Sequence, residues 1–150
     1  MSLVELLGKK LKDDVVLQFF DAYQVGDVVY GFDRLHEGTD DEYRANAKAS
    51  GFEVIFDQDQ VLETAFCYAS PTDGFASVDA AVAGVPLFSS VAEAESAAMT
   101  AGHRCAKGTA DVPVLGLKTS WVRHERAEAW VHYEFRDSAL ALVTLSRPKS

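Results

Sequence analysis

The sequence predicts an α+β fold in which two helix-plus-β-hairpin units form a mainly antiparallel sheet packed by helices. Three observations carry this reading. Phe52, Val54 and Phe56 alternate with Glu53, Ile55 and Asp57, the period of a half-buried strand. Leu3, Leu6 and Leu7, then Val15, Val16, Phe19 and Phe20, recur at helical spacing. FEVIFDQDQVLETAFCY and VHYEFRDSALALVTLS share an alternating strand ending in Phe, an acidic turn and a second apolar run, with Phe56 matching Phe135 and Leu62 matching Leu140. A chain of 150 residues with 48% apolar content can bury one core. A single domain over 1–150, with related halves at about 1–68 and 85–147, is therefore expected.

Taken in order, the first apolar groups give one interrupted helix or two short ones, separated by KKLKDD. Asp13 or Asp14 caps the second, which ends near Tyr23 to Gly26. VVYGF at 28–32 reads as a short strand. DRLHEGTDDEYRANAKAS, polar and without a clean period, reads as an exposed loop with a turn of helix. Two β-rich runs then flank DQDQ, whose short polar side chains suit a turn because they bond nearby backbone N–H groups and stay hydrated. Pro71, Gly74 and small residues mark a long connection over 69–84. The Ala-rich stretch that follows has Ser90 and Glu93 as a capping box and Gly102 at a left-handed C-terminal position. GLKTSWVRHE, AWVHYEF and ALALVTLS supply the closing strands, the last two joined by a turn at RDS.

Charge narrows the functions. The net charge of −9 opposes nucleic-acid binding, which needs clustered Lys and Arg to neutralise phosphates. Residues 1–80 hold six Lys/Arg against sixteen Asp/Glu, a balance of −10, whereas residues 81–150 hold eight against seven, +1. One half carries the whole field, an asymmetry that steers a basic partner toward one face. No run of eighteen apolar residues occurs, and charge in MSLVELLGKKLKDD falls where a signal peptide needs its apolar run, so the expected compartment is the cytoplasm, without membrane contact. Cys67 and Cys105 lack zinc spacing and disulfide density and read as reduced structural thiols.

Candidate chemistry is sparse. DQDQVLE lacks the glycine, the late Glu and the flanking helices of a calcium loop, and Asp57 with Asp59 at a hydrated hairpin tip lacks the burial that separates two carboxyl pKa values. His103, Arg104 and Cys105 follow a helix, where the two cations suit its negative end. His124 and His132 lie on either side of a turn among Glu125, Glu128 and Glu134, without a compact metal-ligand set. No phosphate loop or nucleophile elbow is present. The reading is therefore of no catalytic residue, no cofactor and no metal. Trp121 and Trp130 are either partner anchors or core residues, and Trp130, opposite Val131, Tyr133 and Phe135, fits beneath a covering helix. The most partner-like segment is DRLHEGTDDEY: Asp33, Glu37, Asp40, Asp41 and Glu42 supply charge for steering, Leu35 and Tyr43 apolar anchors.

Across GFEVIFDQDQVLETAFCY, GVPLFSSVAEAESAAMTAG and AWVHYEFRDSALALVTLS the chain resembles small bacterial cytoplasmic proteins that act as toxin-neutralising immunity proteins. The arrangement is also similar to folds of the β-lactamase-inhibitor-protein type and to small envelope-assembly lipoproteins. The immunity resemblance implies a non-enzymatic protein that binds and inhibits a cognate toxin, and charge favours a toxin with a basic surface, such as a nuclease. Two other readings compete. A small enzyme would assemble its site from dispersed polar groups around His124, His132 or Cys105. A scaffold or subunit of a larger assembly would show an exposed apolar patch and self-association.

Overall fold

Alternation decides which residues face the core. In β3 (Phe52–Phe56) Phe52, Val54 and Phe56 are fully buried while Glu53 and Ile55 are not, as a strand packed on one face requires. The computed structural model describes residues 1–32, 41–112 and 116–149. Within them eight strands form one antiparallel sheet: β1 (Val29–Gly31), β2 (Glu42–Ala47), β3, β4 (Leu62–Tyr68), β5 (Arg104–Val112), β6 (Leu117–Glu125), β7 (Trp130–Arg136) and β8 (Ala139–Ser146). Their spatial order is β1-β2-β3-β4-β8-β7-β6-β5, so the two four-strand meanders meet at a central β4/β8 seam.

Four helices accompany the sheet: α1 (Leu3–Leu6), α2 (Asp14–Ala22), α3 (Ala80–Ala83) and α4 (Val91–Ala101). Leu3, Leu6, Val16 and Phe19 join Phe52, Tyr133 and Leu145 in one core cluster. Phe19 lies 5.9 Å from Phe52 and Phe20 lies 6.0 Å from Phe56, ring centre to ring centre. Burial of Phe19, Phe52 and Phe56 contributes about 2 kcal/mol each, and the half-buried Phe20 less. Ser90 caps α4 by accepting the Glu93 N–H at 3.1 Å. The Glu93 carboxylate accepts from the Ser89 hydroxyl instead of closing the expected box on Ser90. Gly102 ends the helix at φ +71°, as expected.

Both hairpin tips are backbone devices. One Asp57 carboxylate oxygen accepts the N–H groups of Asp59 and Val61, and Gln60 turns left-handed at φ +62°. At the other tip Asp137 and Ser138 both have positive φ, the two-residue turn whose twist matches the flanking strands. Phe56 pairs with Leu62 and Phe135 with Leu140, each beside a register shift.

Two expectations need correction. The segment predicted as loop over 33–50 contains β2, and its expected turn of helix is the short 3-10 turn at Lys48–Ser50; Arg44, Ala45, Asn46 and Ala47 pair with β3 although their composition is not strand-like, because burial of Ala45 and Ala47 decides. His103, Arg104 and Cys105 follow α4 directly, as expected, and the chain runs from Gly102 into β5. The 69–84 connection contains α3, capped by the Asp79 carboxylate accepting the Ala81 N–H.

Candidate functional site

The helices pack on one face of the sheet. The opposite face, which carries no helix among the described residues, can be followed in register from strand to strand. One row runs Arg44, Ile55, Thr64, Ser146, Trp130, Glu125, Arg104; the next runs Asn46, Glu53, Phe66, Thr144, His132, Arg123, Ala106. Trp130 is thus opposite Val131, Tyr133 and Phe135, as the sequence indicates, but the covering helix expected over it is absent among the described residues. Trp121 lies on the same face, its indole flat against β5: a Cβ at Gly108 would fall 2.7 Å from its Nε1, so only glycine leaves room.

These aromatics form a connected array. Trp121 stacks on His132 at 5.0 Å, and the Arg123 guanidinium lies 4.6 Å from the Trp130 ring and 5.4 Å from that of Trp121. Glu125 fixes that guanidinium, accepting from Nε at 3.1 Å and Nη2 at 3.0 Å. The face is rich in Arg–Glu pairs: Arg44 bonds Glu42 and Glu53, Arg136 bonds Glu134, and Arg104 approaches Glu125. Phe66, at the centre of the sheet, separates two depressions along the β4/β8 seam. One, of about 500 Å³, reaches Trp130 and the C-terminal Arg147; the other, of about 410 Å³, reaches Tyr68 and Asp73.

A second surface lies at the sheet edge. Val28, Val29, Tyr30 and Phe32 are four of the seven large apolar residues that stand exposed among the described residues. Tyr30 packs on Tyr43 at 5.0 Å and on Phe32 at 6.0 Å, and its hydroxyl donates to Asp41. That hydrogen bond holds the phenol proton and raises its pKa. Gly31 pairs with Glu42, so the acidic segment singled out in the sequence connects β1 to β2. Asp41, Glu42 and Tyr43 are half-buried at its end, while Asp33, Leu35, Glu37 and Asp40 lie outside the described residues.

The remaining candidates separate. His124 and His132 occupy opposite faces of the sheet and cannot share a ligand. His124 is 2% exposed, bonded through Nε2 to the Ala94 carbonyl at 2.8 Å, and burial depresses its pKa. His132 is also depressed, by burial and then by Arg123. Cys105 pairs with His124 across β5 and β6, and the His103 ring lies 6.4 Å from that of His124, yet the Cys105 thiol is raised, by burial and then by Glu95. A thiolate nucleophile needs the opposite shift. Cys67, deep in the core, is pushed up to about 12. Among the described residues no three His, Cys, Asp or Glu side chains are grouped to hold a metal ion, and no helix is long and apolar enough to cross a membrane.

Sequence reasoning singled out the segment between β1 and β2 and missed the continuous open face. Its signal was present: Phe66, Tyr68, Trp130, His132 and Trp121 occupy the non-core positions of their strands, where water-facing polar residues are ordinarily found. Compared with protein-family models, curated proteins and solved structures, the chain matches none.

Proposed function

We propose that this protein is a non-enzymatic inhibitor of the immunity type, which neutralises a toxin by covering a basic surface with its β1/β2 edge. The observation that carries the reading is the concentration of exposed Val28, Val29, Tyr30 and Phe32 beside Asp41 and Glu42. Apolar groups rimmed by charge are the composition of a docking surface, the aromatics anchoring and the carboxylates steering. The acidic first half of the chain places its field on the same side of the sequence. In this reading the chain is two related halves, about 1–68 and 85–147, and the bulged Phe56/Leu62 and Phe135/Leu140 pairs are equivalent positions within them.

The test is co-expression with the products of adjacent genes, scored by affinity capture and by protection from growth arrest. A captured toxin with protection supports the proposal; neither capture nor protection rejects it. With the toxin in hand, Asp41→Lys with Glu42→Lys lowers the association rate about tenfold at low salt, and the difference shrinks as salt screens the charges. An unchanged rate removes this edge from the interface. The same apolar patch also suits a second copy of the chain, the scaffold reading; stable dimers in sedimentation, abolished by Tyr30→Lys, would favour it.

A further inference from the structure

The open face holds a site that the β1/β2 edge does not explain. Along the seam the depression of about 500 Å³ is walled by Phe66, Trp130 and His132. Thr64, Thr144 and Ser146 add hydroxyl groups to it. Arg123, Arg147 and Lys149 bring positive charge, against Glu63 as the one lining carboxylate. We infer that this depression receives a projecting segment of a partner protein, one that places an Asp or Glu carboxylate beside an apolar side chain.

Charge complementarity selects that occupant. Elsewhere on the face each arginine already faces a glutamate: Arg44 with Glu42 and Glu53, Arg136 with Glu134, Arg104 with Glu125. Arg147 pairs at 4.0 Å with Asp57, a carboxylate that does not line the depression, and Lys149 has no ion pair among the described residues. Arg123 spends Nε and Nη2 on Glu125, which leaves Nη1 turned to no acceptor among the described residues. Three cations against one lining carboxylate thus gather at one end of the seam in a protein of net charge −9, with Lys149 and the Arg123 Nη1 still open to a further acceptor. The Arg147 backbone N–H donates to the Glu63 carbonyl at 3.0 Å, so strand pairing continues past β8 and fixes where the cationic side chain begins. Trp130, held under the Arg123 guanidinium, offers a rigid apolar wall beside these cations. A carboxylate on a short side chain satisfies the charge while its apolar neighbour covers the ring; a basic or purely apolar segment does one or neither. The site rests on the same protein-binding reading but on different residues, so reversal of Asp41 and Glu42 leaves it intact.

The test uses the full chain, labelled with ¹⁵N, and the blocked tetrapeptide acetyl-Gly-Asp-Phe-Gly-amide as probe. The expected result is a progressive shift of the Trp130 indole N–H resonance, with the Asn counterpart binding about fivefold more weakly. Arg147→Gln with Lys149→Gln, both exposed positions, abolishes that preference while the remaining spectrum reports an intact fold. The inference is overturned if Trp130 does not respond up to about 10 mM peptide, if Asp and Asn probes respond alike, or if the double variant keeps the preference. Movement of the Trp130 signal with protein concentration alone would overturn it too, by assigning the face to a second copy.

Discussion

His124 is a neutral imidazole held by packing. Its folded pKa lies below the ordinary 6.5, so the unfolded chain takes up the proton first as pH falls. The stability associated with this ring is complete above pH 6.5 and is lost progressively below it, toward the depressed folded value. Melting temperature measured against pH should decline through that acidic window, and His124→Gln should flatten the decline. Tyr133 presents the complementary case. It is fully buried and its hydroxyl has no hydrogen-bond partner among the described residues. Burial raises its pKa, so the group stays a neutral phenol. Tyr133→Phe removes an unpaired polar group at almost constant shape and should raise unfolding stability by about 1 kcal/mol in urea titration. A loss of stability would reveal a partner for the hydroxyl.

At the scale of elements, β5 depends on one glycine. The Trp121 indole lies where a Gly108 side chain would be, within 2.7 Å of an added Cβ. Gly108→Ala forces the ring outward or β5 away from β6, at a cost of about 1–3 kcal/mol typical of overpacking, and should also disturb the Trp121/His132 stack. Equilibrium denaturation reads the first effect and the Trp121 indole resonance the second; a variant with neither would refute the close approach. Much of this level was legible beforehand. α4 follows from Ser90 and Gly102, the β3/β4 pair from alternation before DQDQ and the β-rich run after it, and β8 from ALALVTLS. β2 and β5 were not legible, since EYRANA and RCAKGTADV lack a strand pattern; hydrogen bonds to neighbouring strands hold both, and burial of Ala45 and Ala47 adds to β2.

The whole molecule divides its labour between two faces of one sheet. The helical face contains the core, and its membership was readable from Phe52, Val54, Phe56, Val131 and Tyr133 because period-two burial leaves a direct trace. The open face was not readable as a unit. Its members come from seven strands, and only the strand order brings Phe66 beside Thr144 and His132 beside Arg123. Local pattern states that Trp130 and Val131 point apart; it cannot state which of the two a helix will cover. The proposed inhibitor would then present two unlike surfaces, an acidic aromatic edge at β1/β2 and a cationic aromatic hollow at the seam.

The chain's two tryptophans, Trp121 and Trp130, both lie on the side of the sheet away from the helices. Light absorbed at the red edge of the near-ultraviolet band is therefore taken up on that side alone. Emission colour and quenching by small solutes become a built-in optical record of what approaches the sheet, blind to events beneath the helical layer.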